Sequence, residues 1–158
     1  MKRVLVKSVH DAFDYVMDHY YPFGLEEFAE RTDPYAVISI QDTHTGGFGF
    51  TFSRNQFCKG VLTLYFDDIV RNVDGACLFS SDQAESIIDF IQSNKDVETL
   101  LIHCYGGQSR SLAVGAFAVR MLGGDNSRYF AHGNPNRYVY ELLLQTWKNR
   151  KSSETGCT

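Results

Sequence analysis

Apolar residues fall into two rhythms along this chain. Short, nearly unbroken runs occupy Arg3–Ser8, Tyr35–Ile40, Val61–Phe66 and Leu100–Cys104. Runs of this length, rich in Val, Ile, Leu and aromatic residues, predict strands, and the continuous ones predict strands buried on both faces. Between them apolar residues recur every three or four positions. Phe13, Val16, Met17 and Tyr20 form one face over 11–20, and Ala84, Ile87, Ile88 and Ile91 form another. Ser111 to Leu122 is almost wholly apolar and is stopped by Gly123-Gly124, which predicts a buried helix. Asn134-Pro135 has the chemistry of a helix start, followed by Tyr138, Leu142, Leu143 and Trp147. Strands alternating with helices predict an α/β fold, with a mostly parallel sheet of four to five strands flanked by helices.

The intervening stretches carry turn chemistry. Pro22 and Gly24 end the first helix, and 25–31 has room for a short further turn. Residues 41–60 are glycine-rich and aromatic, and read either as a surface loop or hairpin or as a rim over a pocket. Ser80-Ser81-Asp82 supplies caps for the helix that follows. The polar stretch 148–158 predicts a frayed end, so the expected organisation is one domain over 1–150 and a polar tail over 151–158.

Composition narrows the function. The chain has 158 residues, 44% of them apolar and 22% charged, with a net charge of −4. That balance disfavours nucleic acid as the main partner, because backbone phosphates need a basic face. No apolar run approaches the ~18 residues a membrane span requires. The four cysteines, Cys58, Cys77, Cys104 and Cys157, form no C-x-x-C pair. With no leader-like stretch, the expected setting is reducing and cytoplasmic. His10 and His19 flank a helix without metal-ligand spacing, so no metal is expected. Cys157 lies in the tail, where no role is expected.

One stretch concentrates chemistry: Leu100-Leu101-Ile102-His103-Cys104-Tyr105-Gly106-Gly107-Gln108-Ser109-Arg110-Ser111. A cysteine stands where a strand ends, and an arginine stands where a helix begins. A loop feeding a helix N-terminus aligns unpaired N–H groups, and the helix dipole adds roughly half a positive charge. Gly106 and Gly107 let the backbone curl around an anion. Tyr105, Gly106, Gly107, Gln108 and Ser109 thus form a candidate oxyanion cradle, and Arg110 adds a planar fork for two oxygens. Such a field can lower a cysteine from about 8.5 to ~3.5–7.5, which makes Cys104 a candidate thiolate nucleophile.

His103-Cys104-x-x-Gly107-x-x-Arg110-Ser111 resembles the His-Cys-x5-Arg-Ser/Thr loop of the cysteine-dependent protein tyrosine phosphatases, most closely the compact dual-specificity branch. The Phe66-x-Asp68-Ile69 pattern is similar to that of small bacterial members. The resemblance implies a single-domain phosphatase fold and phosphomonoester hydrolysis through a cysteinyl-phosphate. It also implies an upstream aspartate as proton donor to the leaving group, and no cofactor. Asp68, 36 residues before Cys104, is favoured for that role, with Asp67 as the alternative and Asp74 and Asp82 as weaker ones. By the same resemblance Ser111 hydrogen-bonds the thiolate, and His103 positions the loop from behind. The implied partner is a phosphorylated protein or a small phosphomonoester. The loop contains no lysine, which counts against a polyphosphorylated lipid. Two other readings fit a cysteine in an anion loop. One is a catalytically silent phosphate-binding module. The other is an arsenate reductase or sulfurtransferase, which would need Cys58 or Cys77 as a resolving thiol.

Overall fold

The computed structural model of the chain describes residues 1–21, 33–43 and 51–155. Within them four strands and five helices run in the order β1 (Arg3–Ser8), α1 (Val9–Tyr20), β2 (Tyr35–Gln41), β3 (Cys58–Tyr65), α2 (Ser81–Ser93), β4 (Thr99–Cys104), α3 (Arg110–Met121), α4 (Ser127–Ala131) and α5 (Arg137–Thr155). The strands form one sheet in the order β1-β4-β2-β3, and every pairing is parallel. Leu5 lies opposite Leu101, and Ile38 opposite Ile102. The two inner strands, β2 and β4, are buried at every position. Their unbroken apolar runs are what a doubly covered strand requires.

Successive side chains of those strands serve different cores. Ala36, Ile38, Ile40, Leu100, Ile102 and Cys104 join α2, α3 and α5 residues on one face. Val37 and Leu101 turn to the other, against Ala12, Val16 and Tyr20 of α1 and Phe57. Each such buried aliphatic side chain contributes roughly 1.5–3 kcal/mol. The parity also places Cys104 on the α3 side of the sheet, with His103 on the opposite side.

The helix ends refine the expectations. Ser8 caps α1 by accepting from the Asp11 N–H at 3.1 Å. Ser80 and Gln83 form a reciprocal capping box at the start of α2. At α5 the cap is Asn136 rather than Asn134: its Oδ1 accepts from the Val139 N–H at 3.1 Å, so Pro135 precedes the cap. α5 continues to Thr155, past the point where polarity predicts fraying. Arg150 gives that end a partner, pairing with Asp89 at 2.7 Å and with Glu85 of α2. The short α4 has no counterpart in the apolar pattern. The expected loop over 41–60 is narrower than its composition indicates, because Gln41 ends β2 and Cys58 opens β3. The glycine-rich stretch 44–50, the turn expected over 25–31 and Cys157 lie outside the described residues. Among the described residues no helix is long and apolar enough to cross a membrane.

Candidate active site

The carboxyl ends of β2, β3 and β4 share one rim, the edge at which open α/β sheets bind ligands. Cys104 is the last residue of β4, and Arg110 the first of α3. The loop between them has one strict steric demand. Gly107 adopts φ +70°, and a Cβ there would sit 2.5 Å from the Lys7 carbonyl carbon and the Ser8 nitrogen. Glycine is therefore required where the loop crosses the β1–α1 junction. Gly106 has open space around it, so the curl rests on Gly107 alone. The loop is also tied to α1, since the Val9 N–H donates to the Tyr105 carbonyl at 3.1 Å.

Cys104 is only 3% exposed, yet its sulfur lies at the floor of a cavity of about 420 Å³. The Gly107 N–H donates to Sγ at 3.2 Å, and the Ser111 hydroxyl lies 3.0 Å from it. The backbone N–H groups of Gly106, Gln108, Ser109 and Arg110 have no hydrogen bond among the described residues. Asp68, Tyr105, Gln108, Ser109, Arg110 and Asn134 complete the wall.

Arg110 is buried, and its Nη1 donates to the Phe66 carbonyl at 2.8 Å and pairs with Asp42 Oδ1 at 2.7 Å. One edge of the guanidinium is thus anchored, while the residue still lines the cavity. Asp42 escapes a reading of the sequence, although its position just after β2 carries the same strand-end signal as Asp68.

The structure separates the two candidate acids. Asp67 is 5% exposed, and its carboxylate accepts from Thr43 N (3.2 Å), Thr43 Oγ1 (2.6 Å) and Cys77 N (2.7 Å). It stitches the loop together. Asp68 is exposed and lines the cavity, and its Oδ1 accepts from Ser109 Oγ and Asn136 Nδ2, both at 2.8 Å. Both donors converge on one oxygen, and Oδ2 has no partner among the described residues. The Ser109 side chain therefore holds Asp68 instead of facing the cradle. Asn136 also donates to the Ile69 carbonyl at 3.1 Å and, through its own N–H, to the Ser109 carbonyl at 3.1 Å. It joins Asp68, the loop and the start of α5, so a position that the sequence offers as a helix cap or a rim residue serves as both. Asp74 and Asp82 are not among the lining residues.

His103 is fully buried, and burial pushes its pKa below the ordinary value, so the ring is neutral. Its Nδ1 lies 3.3 Å from the Cys104 carbonyl, which can only accept, so Nδ1 carries the proton. Nε2 then accepts from the Ser39 hydroxyl at 2.7 Å, and Ser39 Oγ accepts from Gln41 at 2.8 Å. This chain pins the base of the loop from behind the sheet. Neither other described cysteine adjoins Cys104. Cys58 pairs with Tyr35 at the opposite end of the sheet, ~16 Å away along the strands. Cys77 lies beside the end of β3, two strands from β4 and roughly 10 Å across. A disulfide needs Cα atoms within about 7 Å. No group of three or more potential metal ligands occurs among the described residues.

A four-stranded parallel sheet whose central strand delivers a cysteine into a glycine-turned loop, answered by an arginine at the next helix, is the fold of the cysteine-dependent tyrosine phosphatases of dual-specificity type. The solved structures it is similar to include the human tyrosine phosphatase-like serine/threonine/tyrosine-interacting protein. That one has a TM-score of 0.58 and 16% identity, covering 93% of this chain and 92% of the other. PTPMT1 in complex with PI(5)P aligns at 0.54 and 14%, covering 96% and 94%. Human DUSP28 aligns at 0.51 and 15%, covering 95% and 94%. At these identities the likeness is one of fold. No protein-family model and no curated protein sequence matches the chain.

Proposed function

We propose that the chain hydrolyses phosphate monoesters through a cysteinyl-phosphate. The loop amides and the unanchored edge of Arg110 bind the phosphoryl oxygens, and the Cys104 thiolate attacks phosphorus in line with the leaving group. As the P–O bond breaks, Asp68 gives the departing oxygen a proton from Oδ2, the oxygen not engaged by Ser109 and Asn136. Water then attacks the phosphorus and returns a proton to Asp68. The P–S bond breaks, and the Ser111 hydroxyl stabilises the released thiolate. A working thiolate needs a reducing compartment, and the reading places the chain in the cytoplasm.

The observation that carries this reading is the Cys104 sulfur held by the Gly107 N–H and Ser111 in a cavity that also presents Arg110 and Asp68. Among the cavity's described lining residues Arg110 is the one cation, which suits a single phosphate. Turnover of p-nitrophenyl phosphate that is lost in Cys104→Ser, with vanadate or phosphate binding retained, is the expected result. Asp68→Asn should slow phenyl phosphate at least tenfold more than p-nitrophenyl phosphate, since a poor leaving group depends on the donated proton. Equal losses would remove Asp68 from the role. A second reading, a silent phosphate-binding module, draws on the similarity to a protein named as phosphatase-like and interacting. It predicts phosphopeptide binding by the native chain with no release of phosphate.

A further inference from the structure

The segment joining β3 to α2 carries Asp68 and then leaves the body of the protein. Its base is fastened at several points. The Asp67 N–H donates to the Cys77 carbonyl at 2.8 Å, the Cys77 N–H donates back to the Asp67 carboxylate at 2.7 Å, and Asn136 donates to the Ile69 carbonyl at 3.1 Å. Between those anchors residues 70–75 are all exposed, and a bond from the Ala76 N–H to the Val73 carbonyl at 3.1 Å turns the chain back.

The exposed tip is apolar where a surface turn would ordinarily be polar. Val70 is 59% exposed and Val73 47%, and neither joins either hydrophobic core. Of the six large hydrophobic side chains exposed among the described residues, three (Tyr65, Val70 and Val73) fall within 65–73, and a fourth, Tyr105, lines the Cys104 cavity. Apolar side chains scattered singly over a surface are ordinary, whereas a concentration of them marks a surface that a partner covers. The charges on the tip are Arg71 and Asp74, which cancel, so the tip offers apolar contact rather than a field.

Position decides what covers it. Asp68 lines the cavity on the side where the leaving group departs. Val70 is two residues further on, so its Cα lies at most about 7 Å from that of Asp68. Whatever is attached to the leaving oxygen passes this point. In an extended peptide the residue beside the phosphorylated one is only about 3.3 Å further along the chain, within reach of the tip. The net charge of −4 works against an anionic lipid surface as the occupant.

We infer that the 70–75 loop is a docking surface for the polypeptide that carries the phosphate, with Val70 and Val73 receiving an apolar side chain directly before or after the phosphorylated residue. The inference rests on the phosphatase reading. The loop then selects among phosphorylated polypeptides by water released from apolar surface, while Arg110 and the cradle bind the phosphate they all share.

The test compares p-nitrophenyl phosphate with two phosphotyrosine peptides, one with Leu on both sides of the phosphotyrosine and one with Ser in the same places. The native chain should favour the Leu peptide roughly five- to tenfold in kcat/KM. The double variant Val70→Ser/Val73→Ser should lose that preference through KM, with p-nitrophenyl phosphate turnover unchanged, and Val70→Leu should widen it. Equal kcat/KM for the two peptides in an active native chain, or a preference that survives the double variant, overturns the inference. So does co-sedimentation of the native chain with phosphatidylcholine vesicles, or self-association in analytical ultracentrifugation, that the double variant abolishes, because the loop then serves a lipid or a second copy of the chain. Failure to hydrolyse all three substrates overturns the phosphatase reading instead. The docking surface is then decided by fluorescence anisotropy of the two labelled peptides, where equal Kd values overturn it and tighter binding of the Leu peptide that is lost in the double variant upholds it.

Discussion

Asn136 should control the acid without touching the substrate, and its two functions can be pulled apart. It is buried at 5% exposure, donates to Asp68 and the Ile69 carbonyl, and caps α5 through Val139. Asn136→Ala removes all three bonds. A lost cap costs ~1 kcal/mol, and each buried hydrogen bond a further 0.5–1.5 kcal/mol or so, giving a destabilisation of about 2–4 kcal/mol. Asn136→Ser restores a good cap but is too short to reach Asp68, so it should recover ~1 kcal/mol in urea melts. Its turnover of a poor leaving group should stay low. Losing one charge-assisted bond to the carboxylate, worth about 1.5 kcal/mol, corresponds to roughly tenfold in rate. Stopped assays with phenyl phosphate should show that tenfold loss of kcat in both variants, and p-nitrophenyl phosphate much less. If Asn136→Ser hydrolyses phenyl phosphate as fast as the native chain, Asn136 does not position the acid. If both substrates slow equally, the damage lies in the phosphate cradle instead.

Other substitutions probe the frame of the site. Gly107→Ala should cost more than about 3 kcal/mol and abolish oxyanion binding, because the new Cβ meets the backbone of Lys7 and Ser8 at a positive φ, whereas Gly106→Ala should be nearly silent; urea melts and vanadate titration read both. Asp42→Asn should raise KM about tenfold for every substrate regardless of leaving group, since it loosens the Arg110 guanidinium and leaves Asp68 alone. His103 is held neutral by burial, so its folded pKa lies below the unfolded value of 6.5. Between those two values the unfolded chain binds the extra proton. Stability from this group is complete above about pH 6.5 and falls as pH drops below it. Thermal melts between pH 5 and 8 should show that decline, and His103→Gln should flatten it.

Much of this molecule is written locally. The apolar runs at 35–40 and 100–104 specify strands covered on both faces, and the strand–loop–helix grammar around Cys104 puts a cysteine at a strand end and an arginine at a helix start, as the structure has them. Those features depend on residues within one or two turns of each other, where periodicity and glycine sterics act directly. What only the tertiary structure decided is which distant groups meet. Asp67 and Asp68 are neighbours with the same chemistry. They part company because the backbone leaving β3 turns one into Thr43 and Cys77 and the other towards Ser109 and Asn136. Asp42 and Asn136 stand 68 residues or less from the groups they serve, on segments brought together by the parallel crossovers. No local pattern encodes that meeting, because a hydrogen bond of about 2.8 Å between remote side chains exists only once the sheet order β1-β4-β2-β3 has been chosen.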